Sequence, residues 1–167
     1  MKGTNALVLY LDFDGVLHHE NVLWHPKRGA YLCAPERYSL FQHSELLEQM
    51  LVPYPHVQIV LSTSWVRRYG MATTAKRLPE SLKVRVIGAT FHSRHMNNDE
   101  FMDMPRGQQV HEDVLRRRPS GWLALDDDSE GWPAEHMARY IKTHEHDGIS
   151  DPDVQEEFKR KLKEMCK

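Results

Sequence analysis

Four short apolar runs punctuate the chain: Ala6-Leu-Val-Leu-Tyr-Leu11, Val57-Gln-Ile-Val-Leu61, Val84-Arg-Val-Ile87 and Trp122-Leu-Ala-Leu125. Each gives way within a few residues to polar or turn-forming positions, the pattern of a strand buried on both faces. Between them lie helix-compatible stretches at about Ser44 to Val52, Val66 to Leu78 and Gly107 to Arg118. Strands alternating with helices predict right-handed crossovers and a mostly parallel sheet covered on both sides, a three-layer α/β sandwich.

The C-terminal third continues the pattern less clearly. Met137 to Lys142 suits an edge strand, and Ser150-Asp-Pro-Asp153 starts a final helix running from about Pro152 to Met165. A capping side chain, a first-turn proline and acids near the N-terminus all favour that start. The helix ends in Lys159, Arg160, Lys161, Lys163 and Lys167, which complement the helix dipole; contact with a phosphate backbone is the alternative. Arg116-Arg-Arg-Pro119 has the form of a helix end stopped by proline. The least regular part is Leu17 to Phe41, with Pro26, Gly29 and Pro35 among polar and aromatic residues.

Composition narrows the class. A chain of 167 residues buries roughly 68–70% of its unfolded surface, enough for one core without cross-links, so a single domain over residues 1–167 is expected. Lys+Arg of 22 against Asp+Glu of 24 gives a net charge of −2, so no global field draws nucleic acid or anionic membranes. Cys33 and Cys166 form neither a disulfide framework nor metal-ligand spacing, which predicts a reducing, cytoplasmic setting. The first apolar run is too short for a signal-peptide core or a membrane span.

The chemistry gathers at strand ends. Asp12 and Asp14 follow the first run; Asp126, Asp127 and Asp128 follow the last. In an open parallel sheet, ligands bind beyond the carboxyl ends of strands at the topological switch point. If the first and last runs are neighbours, these acids converge. Such a cluster repels itself unless a cation is present, and oxygen-only ligands suit Mg²⁺, which also takes phosphate. Either acidic group alone would pass for a solvated turn; their shared placement argues for metal-dependent phosphate chemistry.

The residues also carry a family resemblance. Leu11-Asp-Phe-Asp-Gly-Val-Leu17 closely resembles the first motif of the haloacid dehalogenase (HAD) superfamily. Ile59-Val-Leu-Ser-Thr-Ser-Trp65 is similar to its second motif, and Leu123-Ala-Leu-Asp-Asp-Asp128 to its fourth. More narrowly, these motifs and the Arg-Gly before a helix resemble small HAD domains found alone or in nucleic-acid repair polyproteins. The resemblance implies a Rossmann-like three-layer sandwich and a Mg²⁺-dependent phosphohydrolase. Asp12 is then the nucleophile that forms an aspartyl-phosphate, and Asp14 the acid and base that serves the leaving oxygen and the attacking water. An acid at Asp14 is typical of the phosphatases and phosphotransferases of the superfamily.

The resemblance assigns phosphate contacts to Thr63, with the backbone N–H of Ser64 and with Ser62 as the alternative register. A cation is also required, because charge develops on the transferring group. Arg106 in Pro105-Arg-Gly107 matches that position best, with Lys76 and Lys83 as fallbacks. The Mg²⁺ ligands implied are the Asp12 carboxylate, the Asp14 carbonyl and Asp127, with Asp126 beside it.

Neither residues 18–56 nor 66–105 hold enough chain for a large cap domain. Capless members have open sites, which favours a macromolecular phosphorylated substrate, a nucleic-acid end or a phosphoprotein, over a small metabolite such as a 5′-nucleotide. His18, His19, Trp24, His25, Lys27 and Arg28 fall in the flap region, and Trp65, Arg67 and Arg68 follow the second motif. Such groups at a site mouth stack bases and grip phosphate, although Trp65 also suits packing and the arginines suit solvent. His144 with His146 on one face of a strand, and His92 with His95, are weaker metal candidates. A catalytically silent binding protein with this fold is the competing class, but it has no need of the intact Asp12, Asp14 and paired acids.

Overall fold

The computed structural model describes residues 1–167. Its central sheet has five parallel strands in the order β5 (Val86–Ala89), β4 (Val57–Leu61), β1 (Leu7–Leu11), β6 (Gly121–Asp126), β7 (Tyr140–Lys142). The period of two along β1 sends Leu9 and Leu11 into one apolar cluster and Val8 and Tyr10 into another. The first cluster also takes Ile59, Leu61, Leu123 and Leu125, the second Val60, Trp122 and Ala124. Apolar residues at every position of these strands are thus explained by cover on both faces.

Helix α1 (Ser44–Leu51) closes the larger cluster through Leu47 and Leu51, and α7 (Pro152–Met165) through Val154, Phe158 and Leu162. On the opposite face, α6 (Arg106–Arg117) packs through Val110. This is the expected Rossmann-like sandwich, and it carries no large cap. What overhangs the sheet is a hairpin of β2 (Val22–His25) and β3 (Gly29–Leu32), within the irregular stretch of the sequence. No helix is long and apolar enough to cross a membrane.

Several boundaries differ from expectation for local reasons. The helix expected over Val66 to Leu78 is two, α2 (Trp65–Tyr69) and α3 (Met71–Ala75), because Gly70 sits at φ +80°. That left-handed backbone ends the first helix and is open to glycine at little cost. The third strand starts at Val86 rather than Val84. Val84 still belongs to the turn of α4 (Glu80–Lys83), donating its N–H to the Glu80 carbonyl. The edge strand shortens to Tyr140–Lys142 because the turn that begins as a 3₁₀ helix at Ala134–His136 continues through residue 139, whose N–H donates to the His136 carbonyl. His144 and His146 do not share a strand face: His144 Nδ1 accepts the N–H groups of His146 and Asp147 in a tight turn. A short helix α5 (Asn98–Asp103), capped by Asn97, precedes α6 and was not anticipated.

Candidate active site

Sheet register assembles the site. Leu11 pairs with Leu61 on one side and Leu125 on the other, so the following residues, Asp12, Ser62 and Asp126, emerge together at the carboxyl edge. The chain moves outward from β1 to β4 and β5, then returns to β6 on the far side, which makes this the topological switch point. Asp12 is buried, and its Oδ1 accepts the Phe13 N–H at 2.8 Å. Asp126, also buried, accepts the Asp128 N–H at 2.9 Å. Carboxylate oxygens of Asp12, Asp126 and Asp127 all lie within 4.8 Å of one another. Gly15 makes this possible: its φ is +73°, and a Cβ there would collide with the Asp127 carboxylate.

Arg106 supplies the cation, from the first residue of α6. Its Nε lies 3.1 Å from Asp126 Oδ2 and its Nη2 lies 3.8 Å from Asp12 Oδ2. Nη1 donates to the Ser62 carbonyl at 2.7 Å and to Gln109 Oε1 at 3.3 Å. Gln109 is itself fixed by donating to the carbonyls of Phe101 and Met104, both at 2.9 Å. Gly107 lets the helix start sit against the 130–132 loop, since a Cβ would strike the Trp132 nitrogen and the Gly131 carbonyl. Lys76 and Lys83 do not line this cavity; Lys83 pairs with Glu80 at its own helix.

Asp14 lies apart from the three clustered carboxylates, drawn aside by two donors to the same oxygen. His18 Nε2 is 2.8 Å, and Trp65 Nε1 2.9 Å, from Asp14 Oδ1. The backbone N–H of Phe41 donates to His18 Nδ1 at 3.0 Å, so that nitrogen carries no proton and Nε2–H is the donor to Asp14. His18 is fully buried beneath Asp14, and Trp65 is buried as well. His18 thus meets the acid from the interior instead of standing at the site mouth as the sequence suggested, whereas Trp65 meets it from the wall of the cleft beside the hairpin.

In the Ser62-Thr-Ser64 run, the Ser62 hydroxyl is buried without a partner, and Thr63 Oγ1 accepts the Trp65 N–H at 3.3 Å. Ser64 lines the acidic cavity and both clefts that flank it. Arg67 borders the cleft beside Arg106; burial, then Arg106 and Arg68, lower its pKa.

The central cavity, about 390 Å³, is lined by Asp12, Asp14, Glu20, Asp127, Asp128 and Glu145, with only Arg106 and Ser64 besides. Burial raises the Asp12 pKa to about 6 against the pull of Arg106, and Asp14 adds to the rise. Asp127 is raised to about 7 by burial and then by Asp12, and Asp126 is pushed well up for the same two reasons. Burial disfavours the charged Arg106, but Asp126 and Asp12 outweigh it and hold the guanidinium above its ordinary pKa. One fixed cation thus faces a surplus of oxygen anions. An all-carboxylate donor set that Arg106 neutralises only in part fits a hard divalent cation held by Asp12, Asp126 and Asp127.

Glu20 and Glu145 were not foreseen at this site. They meet through a backbone hydrogen bond, Glu20 N–H to Glu145 carbonyl, and neither sits in a recognisable motif. Comparison with curated proteins and with solved structures gives no match. A family model described as the HAD domain in Swiss Army Knife RNA repair proteins matches residues 8–154, spanning β1 to the first turn of α7 and every residue of this cavity. The chain belongs to that family of HAD domains.

Proposed function

We propose that this HAD-type phosphohydrolase is a Mg²⁺-dependent phosphomonoesterase that works through an aspartyl-phosphate on Asp12. The observation that carries the reading is the division of labour between two nearby acids. Asp12 is buried beside Arg106, whereas Asp14 is tethered through Oδ1 alone. Asp12 attacks phosphorus, the bond to the ester oxygen breaks, and the departing oxygen takes a proton from Asp14. Water then attacks the acyl-phosphate, gives its proton to Asp14, and phosphate leaves with Asp12 restored. Two N–H donors on Oδ1 leave Oδ2 as the oxygen that carries the proton in both steps.

Arg106 and Ser64 on the cavity wall hold phosphoryl oxygens, and Thr63, buried just behind Ser64, has a hydroxyl proton free to donate because its Oγ1 already accepts an N–H. A bound Mg²⁺ screens the charge that keeps nucleophile and phosphate apart. The uncapped site suits a phosphate at the end of a macromolecule, a nucleic-acid end or a phosphoprotein. The RNA-repair association of the family supports the former. Hydrolysis of a generic aryl phosphate with and without Mg²⁺ tests the reading. Turnover is expected only with the metal, and Asp12→Asn is expected to abolish it; metal-independent turnover, or an active mutant, contradicts it.

A further inference from the structure

Two clefts leave the acidic cavity, and Asp14 opens onto only one of them. The cleft beside Arg106 is about 220 Å³ and mostly polar, with Arg67, Asp103, Asp128 and Glu130 in its walls but not Asp14. The other is about 350 Å³ and runs from Asp14 between the hairpin and α2, walled by Trp24, Ala30, Trp65, Arg68 and Tyr69. An acid that protonates the leaving oxygen must sit beside the leaving group. That group therefore occupies the second cleft.

The walls of that cleft define what it takes. Trp24 leaves 43% of its surface exposed to the cleft and solvent. The Arg68 guanidinium stands over it, 4.1 Å from the ring centroid. The hairpin bearing Trp24 is held to α2, because the Ala30 N–H donates to the Tyr69 hydroxyl at 2.8 Å. The Tyr69 ring lies 5.6 Å from Trp65, which continues the aromatic wall back to the residue that tethers Asp14. A slot with an exposed indole, a stacked guanidinium and apolar walls suits a flat, polarisable group, as in single-strand nucleic-acid sites.

We propose that this cleft is a nucleobase subsite, in which Trp24 and Arg68 stack the base of the terminal phosphorylated nucleotide of a nucleic-acid strand. The inference rests on the phosphatase reading and narrows its substrate. Stacking one base on an aromatic side chain strengthens binding by about 5- to 150-fold, without reading sequence.

The test compares a short oligonucleotide bearing a terminal phosphate on an ordinary nucleotide with the same strand ending in an abasic sugar phosphate. The wild-type protein is expected to favour the base-bearing end in kcat/KM by about 5-fold or more. Trp24→Ala brings the ratio close to one, and Trp24→Tyr, which keeps a stacking ring, restores most of it. Equal rates for the two ends in the wild type, a preference that survives Trp24→Ala, or faster turnover of a phosphotyrosyl peptide overturns the subsite. Acetyl phosphate, which has no ring, separates the two levels of the argument. Its hydrolysis without any base preference ends the subsite alone, whereas no turnover of any of these substrates ends the phosphatase reading with it.

Discussion

Asp14 is tethered by two residues that are themselves held in place. His18 is locked by the Phe41 N–H, and Trp65 is wedged against Phe13 and Phe41 with ring centroids 5.9 and 5.3 Å away. Trp65→Phe keeps the packing but deletes one of the two donors to Asp14 Oδ1. General acid–base catalysis contributes roughly 10²- to 10⁴-fold, so losing part of the acid's orientation is expected to lower kcat by about 10-fold on alkyl phosphates. In kcat/KM, which ends at transfer to Asp12, the fall should be far smaller on aryl phosphates, whose leaving groups need little protonation; comparing kcat/KM on the two substrate types checks this. The acids and Arg106 were legible from sequence because they sit at strand ends and a helix start. The tethers were not: Trp65 stands 51 positions from Asp14, and its role as a donor depends on a packing arrangement that no local pattern encodes.

At the scale of elements, α6 both carries Arg106 and covers one face of the sheet, so its attachment governs the site. That attachment is partly polar. Asp113 accepts the hydroxyl of Tyr10 on β1 at 2.8 Å, and it is held in place by two nitrogens of Arg117, one turn further along the same helix, at 2.7 and 3.1 Å. Asp113→Ala leaves the buried Arg117 guanidinium without its carboxylate and with only the Lys2 carbonyl as a partner, which costs about 3–5 kcal/mol and is measurable as a lower urea midpoint. Gly107→Ala acts at the other end of the helix. The added methyl pushes α6 from the 130–132 loop, so kcat/KM should fall even where the protein remains folded by circular dichroism. Element order and the inner strands were readable because burial on both faces forces continuous apolar runs. The break at Gly70 and the role of Arg117 were not. A helical run can hide a left-handed glycine, and a buried arginine looks like a solvated one until its partner is located.

Over the whole molecule, a net charge of −2 conceals a local excess of acid in one cavity. Asp127 titrates near 7 in the fold against an ordinary value of 3.8, so its contribution to stability is complete below about 4 and is lost as pH rises through 7. Metal-free protein is thus penalised at pH 8, and Mg²⁺, competing with protons for the same oxygens, stabilises more strongly there than at pH 6. Thermal denaturation with and without Mg²⁺ at the two pH values should show the larger rise in Tm at pH 8. Asp127→Asn should remove most of that rise while making the metal-free protein more stable.

The central claim, that Asp12 carries the phosphoryl group between the two halves of the reaction, has one direct test. Protein quenched in acid during turnover of an aryl phosphate with Mg²⁺, then digested and examined by mass spectrometry, should carry a hydroxylamine-sensitive phosphoryl group on the peptide containing Asp12. Turnover with no such adduct, or an adduct that persists in Asp12→Asn, would contradict the account.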